Sequence, residues 1–231
     1  MKLFANGCSF TWGGGILEKE KNLSNTLSPA ILRRKEYTEF REKSVWPWHL
    51  HQLLKTEECV NLAMGCGSNS RIVRTTLDFF VEKINKQENV SDWLAVIQWT
   101  EPSRYEVYDE RNGQFNLIKT DVVLPEVSND RFEYLQKRFL EDDKTFNAEW
   151  FTLLVCLSSF FEKHNIQYMF SLMMPMYNLN NYCINNMNWL DSTIESSVLI
   201  DTEKFRYDSF HPNLDGHKYI ANRIYNRIKE I

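Results

Sequence analysis

The sequence predicts a three-layer α/β/α fold, in which helices cover both sides of a central parallel sheet. Short apolar segments alternate with amphipathic helical segments from one end of the chain to the other, the pattern of βαβ units. One segment, Trp93 to Trp99, is almost continuously apolar, which is typical of a central strand buried on both faces. No repeat and no low-complexity linker divides the 231 residues, so we expect a single domain over residues 1–231.

Five strands are predicted for this sheet, because five short apolar runs are each followed by a loop or turn. The first, Lys2 to Asn6, ends at Gly7, and the fourth, which begins at Gln167, is stopped by Pro175. In chain order the five runs cover residues 2–6, 59–62, 93–99, 167–174 and 197–200.

Apolar residues at helical spacing predict the helices between these strands. The predicted helices cover residues 46–54, 72–84, 131–140, 148–164 and 214–231. The last of them carries Ile220, Ile224 and Ile228 on one stripe, and Asn213 is placed to cap its first turn.

Two segments, around residues 12–44 and 105–128, interrupt the alternation and are predicted to be insertions. The first is polar and irregular after three consecutive glycines, with a charged stretch over residues 31–43 that favours a helix. The second contains Arg111-Asn112-Gly113, a sequence that favours the tight turn of a β-hairpin. We expect both insertions to shape a substrate site.

Composition excludes several classes of function. The net charge of −4 and the lack of a basic cluster argue against nucleic acid as a partner. No apolar run is long enough to cross a bilayer, and the N-terminus enters a strand pattern without a signal peptide. The five cysteines lack metal-type spacing, so we expect reduced thiols and a cytoplasmic location. The sequence does not indicate an oligomeric state.

Two motifs at opposite ends of the chain carry the residue types of acyl transfer. Ser9 lies just after the first predicted strand, and Asp208 and His211 lie just before the last helix. A serine hydroxyl becomes a nucleophile when an imidazole takes its proton, and a carboxylate can orient that imidazole. Each motif alone is explained as well by a capped turn, but their positions at element boundaries together predict a Ser–His–Asp triad.

The chain resembles the SGNH (GDSL-type) hydrolases from end to end. Gly7 to Thr11 is similar to the first block of that family, with Cys8 in place of the usual aspartate. Asn61 to Asn69 is similar to the second block, and Asp208-x-x-His211 followed by proline resembles the last. The resemblance implies a flavodoxin-like strand order of 2-1-3-4-5 and ester hydrolysis through an acyl-enzyme on the serine, without a metal or organic cofactor.

The third block departs from the family, which uses an asparagine side chain there to stabilise the oxyanion. Here Thr100 occupies that place, and loss of one such donor lowers turnover by about a hundredfold or more. By the resemblance, the donor of the second block falls on the backbone of Cys66, with Gly67 the next candidate. Asn69 and Arg104 are candidates to replace the missing donor or to bind substrate.

An O-acetyl or other small acyl ester of a carbohydrate is the substrate we expect. Cys8 is a weaker rival nucleophile, because its position beside Ser9 points it away. His49 and His51 would face apart on a helix, so no metal site is predicted. The main alternative is a catalytically weak protein that uses the same cleft to bind a glycan or protein partner. A structural role in an assembly is a third possibility.

Overall fold

The computed structural model describes residues 1–21, 34–101, 104–109, 114–119, 143–172, 187–190, 203–207 and 211–230. Its centre is a parallel sheet of β1 (Lys2–Asn6), β2 (Cys59–Asn61), β3 (Trp93–Trp99) and β6 (Gln167–Leu172), in the order β2-β1-β3-β6. A separate antiparallel pair is formed by β4 (Arg104–Asp109) and β5 (Gln114–Lys119).

Seven α-helices belong to the described residues, and Glu203–Phe205 forms a 3-10 helix. The α-helices are α1 (Ser9–Trp12), α2 (Ile16–Glu20), α3 (Lys35–Glu42), α4 (Trp46–Leu54), α5 (Asn69–Asn85), α6 (Asp143–Lys163) and α7 (Leu214–Glu230). In the described part of the chain, none of these helices has the length and apolarity needed to span a membrane.

The sheet separates two apolar cores, as expected for three layers. Successive residues of β1 alternate between them: Phe4 packs with α5 and α6, whereas Leu3 and Ala5 pack with α4 and α7. The central strand β3 is buried along its whole length, because it has a parallel neighbour on each edge and helices on each face. The predicted α/β fold with a parallel sheet is therefore confirmed.

Several predicted elements have the bounds read from the sequence. The strand at Lys2–Asn6, the helix at Trp46–Leu54 and the strand at Trp93–Trp99 begin and end where predicted. Asn213 caps α7 as expected, since its Oδ1 accepts a hydrogen bond from the Gly216 N–H at 2.9 Å.

Other elements differ from the prediction or lie outside the described residues. The described parallel sheet has four strands, not the expected five; the fifth, predicted over 197–200, lies outside the described residues, as does the helix predicted over 131–140. The segment predicted to be irregular contains α2, whose Ile16 and Leu17 are buried and so give a short helix an apolar face. β4 and β5 pair antiparallel with Asp109 opposite Gln114, as a hairpin requires, while the turn predicted at residues 111–113 lies outside the described residues.

Candidate active site

The end of β1 is held by the side chain of Asn6, which is fully buried. Its Oδ1 accepts a hydrogen bond from the Gly7 N–H at 2.9 Å, and its Nδ2 donates to Ile72 O at 3.1 Å and Thr76 Oγ1 at 3.0 Å. These bonds satisfy the buried amide and tie the end of the strand to α5. The turn that follows therefore starts from a fixed point.

Ser9 is the first residue of α1, directly after that turn. Thr11, two residues further on, donates from Oγ1 to Gln98 Oε1 of the central strand at 2.7 Å. A side chain at Gly7 would collide with the Thr11 hydroxyl, so this close packing requires glycine. We call residues 7–12, which comprise this turn and α1, the serine segment; it is attached to both β1 and β3.

His211 is carried by a loop that folds back on itself before α7. Arg206 pairs with Pro212 in an antiparallel bridge, and the Tyr207 N–H donates to the His211 carbonyl at 2.8 Å. The Asn213 N–H donates to Phe205 O at 3.0 Å. We call residues 203–207 and 211–213 the histidine loop.

The histidine loop meets the serine segment through His211 and Ser9, which lie 202 positions apart in the chain. His211 Nε2 lies 2.9 Å from Ser9 Oγ, within hydrogen-bonding distance. The Phe10 ring lies beside the imidazole, with 5.1 Å between ring centroids. A methyl group at Gly14 would come within 2.6 Å of His211 Cδ2, so the pair also depends on a missing side chain.

The third predicted member of the triad, Asp208, lies outside the described residues. Its role as the partner of His211 stays a prediction. The described geometry assigns the Nε2 nitrogen to Ser9, so Nδ1 is the nitrogen that an orienting carboxylate would use.

The second block, Asn61 to Asn69, packs directly against the serine segment. Asn61 donates from Nδ2 to Thr11 O at 3.2 Å and accepts the Ala63 N–H at Oδ1. The Met64 N–H donates to the Gly7 carbonyl at 3.2 Å. A Cβ atom at Gly67 would lie 3.2 Å from the Gly7 carbonyl oxygen, which shows how closely the two loops approach.

The backbone N–H groups around this contact differ in what they bind. The Gly67 N–H already donates to Met64 O at 3.0 Å, whereas the Cys66 N–H makes no hydrogen bond within the described part of the chain. Cys66 adopts a left-handed conformation with φ of 63°. At the start of α1, the N–H groups of Ser9 and Phe10 likewise lack a partner among the described residues, as expected at a helix N-terminus.

Thr100 is buried at the end of β3, and its backbone is held by Asn69. Asn69 Oδ1 accepts the Thr100 N–H, and its Nδ2 donates to the Thr100 carbonyl, both at 2.9 Å. The amide of Asn69 therefore fixes the position of the third block. Arg104 lies on β4 with its Nη2 3.6 Å from Glu101 Oε2, so the structure shows an ion pair between this candidate and Glu101.

A second histidine lies buried close to the site. His217 Nδ1 accepts the N–H of Trp46 at 3.2 Å, which anchors the start of α4 to α7. Burial lowers the pKa of His217 to about 3, with smaller contributions from His49 and His211. His217 therefore stays neutral, as its acceptor role requires.

Four cysteines lie in the described part of the chain. Cys8, Cys59, Cys66 and Cys156 form no disulfide there. Cys8 is fully buried beside Ser9, and burial raises the pKa of Cys59 to about 12.

Four residues that support the site were not identified from the sequence: Asn6, Gly14, Gln98 and Tyr207. A polar residue within a buried strand was the available signal for Gln98, because an apolar run with one amide implies a specific partner. Gly14 was visible only as part of a flexible glycine run, and nothing local distinguishes Asn6 or Tyr207.

Comparisons with known proteins find one matching family model and several solved structures of similar fold. A family model described as a family of unknown function, DUF6071, matches residues 27–207. No protein with a curated description matches the chain.

Among solved structures, TesA aligns with a TM-score of 0.52 at 9% identity, over 100% of this chain and 99% of that one. The psychrotrophic esterase EstA from Pseudoalteromonas sp. aligns with a TM-score of 0.48 at 11% identity, over 99% and 97% of the two chains. The lipase Lip_vut3 from a goat rumen metagenome aligns with a TM-score of 0.48 at 13% identity, over 98% and 97%. The TesA alignment covers both chains almost completely and supports the fold described above.

Proposed function

The chain belongs to the DUF6071 family, and we propose that it is an SGNH-type serine hydrolase that cleaves a small acyl ester through an acyl-enzyme on Ser9. The observation that carries the proposal is the 2.9 Å distance between Ser9 Oγ and His211 Nε2. Two residues from opposite ends of the chain meet in the geometry that a nucleophile and its base require.

In the proposed mechanism, Ser9 Oγ attacks the ester carbonyl while His211 Nε2 takes the hydroxyl proton. The imidazolium then gives that proton to the departing alcohol, which leaves an acyl group on Ser9. Water, activated by the same imidazole, releases the acid and restores the serine. We propose that Asp208 orients His211 through Nδ1 during both halves of the reaction.

The oxyanion of the tetrahedral intermediate would be stabilised by backbone N–H groups. Ser9 lies at the N-terminus of α1, and the Cys66 N–H makes no hydrogen bond within the described residues. We propose Cys66 rather than Gly67 as the donor from the second block, because the Gly67 N–H already bonds Met64. Thr100 is proposed as the third donor, with Asn69 holding its backbone in place.

A carbohydrate bearing an O-acetyl or other small acyl group is the proposed substrate, in a single domain whose insertions shape the site. This choice follows the resemblance to the SGNH hydrolases. We propose a cytoplasmic location, a reducing compartment in which cysteines such as the four described ones, which form no disulfide among the described residues, stay as thiols.

The test uses a fluorophosphonate probe and p-nitrophenyl acetate with the wild type, Ser9→Ala and His211→Ala. We expect the wild type to label at Ser9 and to hydrolyse the ester, and both variants to fall to a similar floor because the residues act as a unit. Ser91→Ala and His164→Gln are matched controls, since both residues lie outside the site, a few positions before the starts of β3 and β6, and should retain full activity.

A wild-type protein that is folded, does not label and does not hydrolyse the ester contradicts the proposed chemistry. That result would favour the second candidate, a protein that binds a glycan or protein partner in the same cleft. The threonine at position 100, where the SGNH hydrolases have an asparagine, is the observation that favours this alternative.

A further inference from the structure

The histidine loop has a second attachment to the N-terminal segment besides the contact of His211 with Ser9. Tyr207 Oη donates a hydrogen bond to Glu20 Oε1 at 2.7 Å, across 187 positions of sequence. Tyr207 is also the residue whose N–H bonds the carbonyl of His211 at 2.8 Å. One residue therefore connects the backbone of the candidate base to a carboxylate elsewhere in the fold.

Glu20 is a fixed acceptor because the helix that ends with it is anchored. In α2, Ile16 is fully buried and Leu17 is nearly so, whereas Glu20 itself is at the exposed end of the helix. Residues 9–20 form one stretch of chain with Ser9 at one end and Glu20 at the other. In its middle, Gly14 lies so close to the His211 ring that a side chain there would collide with it. Ser9, Gly14 and Glu20 thus present three contacts to the histidine loop from one continuous stretch of chain.

We propose that the Glu20–Tyr207 hydrogen bond is a positioning device that holds His211 at hydrogen-bonding distance from Ser9. This inference rests on the proposed function. The loop reaches Ser9 through the His211 side chain, and this contact does not by itself fix the backbone that carries the ring. A second bond, made by the residue paired with the His211 carbonyl, restrains the backbone that carries the ring.

The phenol of Tyr207 keeps its proton, which suits a permanent hydrogen bond to Glu20. Burial raises the pKa of Tyr207 well above its usual value, and the hydrogen bond to Glu20 raises it further. The phenol therefore remains protonated and able to donate throughout the pH range in which an esterase of this kind would work.

The experiment compares Tyr207→Phe, Glu20→Ala, the double variant and Glu20→Gln in ester hydrolysis and in the rate of fluorophosphonate labelling. Loss of one hydrogen bond predicts a roughly fivefold fall in kcat and in labelling rate, with KM changed less than about twofold. The double variant should lose no more than either single variant, because both changes remove one interaction. Glu20→Gln keeps a carbonyl oxygen as acceptor and should retain most of the rate.

Tyr219→Phe is the matched control. Its ring stacks on Phe205 of the histidine loop at 4.8 Å, and its hydroxyl makes no hydrogen bond within the described residues. Loss of that hydroxyl should therefore leave kcat unchanged. Wild-type rates in Tyr207→Phe, or losses that simply add in the double variant, would overturn the proposal.

A readout independent of activity separates this inference from the proposed function. The imidazole signals of His211 in a ¹H–¹³C spectrum, assigned with His211→Ala, report the surroundings of the ring whether or not the protein is an esterase. We expect Tyr207→Phe to shift these signals and Tyr219→Phe to leave them in place. An inactive wild type would contradict the proposed hydrolase, whereas unshifted His211 signals in Tyr207→Phe would contradict the positioning role.

Discussion

The two faces of the central sheet are packed by different kinds of residue, and Cys8 and Phe10, which flank Ser9, pack on only one of them. The face toward α5 and α6, which we call the aromatic face, is a cluster of rings: Phe80 lies 5.0 Å from Phe4, 6.1 Å from Trp93 and 5.8 Å from Phe161. The face toward α1, α4 and α7, which we call the site face, mixes apolar residues with buried polar groups.

On the site face, polar groups continue from the core to the edge where Ser9 lies. Gln98 lies two residues after Val96 on β3, so its side chain points to the same face. There its Oε1 accepts a hydrogen bond from the Thr11 hydroxyl. Ser171 is its register partner on β6, and His217 is buried in the helix above. Ring packing dominates the aromatic face, where α5 also bonds Asn6 and the Thr100 backbone, whereas the site face places buried polar side chains among its apolar residues near Ser9.

Phe80→Ala should have the largest effect, and it should act on stability alone. Removal of a fully buried ring predicts a loss of about 3–5 kcal/mol in the free energy of unfolding. Urea denaturation measures this loss, and fluorophosphonate labelling of the folded fraction should stay at the wild-type rate. Val81→Ala, an exposed position on the same helix, is the control and should change stability by less than about 0.5 kcal/mol. Slow labelling in folded Phe80→Ala would show that the two faces are not separable.

Gly14→Ala should have the opposite profile, a large loss of activity at nearly unchanged stability. The added methyl would lie 2.6 Å from His211 Cδ2 and 2.7 Å from Nε2, so the imidazole must move away from Ser9. A displacement of about 1 Å predicts a fall in kcat of roughly a hundredfold. Gly65→Ala is the matched control, because its methyl would meet the Trp12 ring at an ordinary 3.5 Å. Equal kcat values for the two variants would show that His211 does not need the space at Gly14.

Some of these features could be predicted from the sequence alone, and others could not. Strands such as Trp93–Trp99 were predictable, because burial on both faces leaves a continuous apolar run. The approach of Ser9 and His211 followed from their positions at loops that meet at one sheet edge.

The contacts that hold the site were not predictable, since they join residues distant in the chain. The amide of Asn69 gives no local sign that it bonds the Thr100 backbone 31 positions away, and a substrate-binding role was the natural reading. The same holds for Tyr207 and Glu20, which look like ordinary surface residues until the fold brings them together. The helix α2 was missed because three glycines precede it and its apolar face has only two residues.

Thr100→Val tests whether the third block takes part in the reaction, with an expected effect smaller than that at Gly14. If the hydroxyl donates to the oxyanion, its loss should lower kcat by at least about tenfold with little change in KM. Thr100→Asn should restore or raise activity, because it rebuilds the donor usual among the SGNH hydrolases. Should Thr100→Val keep full kcat in an active enzyme while Asn69→Ala or Arg104→Ala lowers it, the third donor is one of those residues instead.

His217→Asn tests the site face through pH, with the smallest expected effect. The pKa of His217 is about 3 in the folded protein, against roughly 6.5 for an unfolded histidine, so only the unfolded state binds the proton between these values. The stabilisation is complete above about pH 6.5 and is lost progressively as the pH falls toward 3.

Between pH 7 and pH 5.5 this linkage predicts a loss of about 1 kcal/mol in the free energy of unfolding. Asparagine keeps an acceptor for the Trp46 N–H but does not titrate, so the variant should lose that much less stability over the same interval. Urea denaturation of both proteins at the two pH values measures the difference. An identical pH dependence in the variant would mean that His217 is protonated in the folded state as readily as in the unfolded one, and that the bond between α4 and α7 does not require a neutral ring.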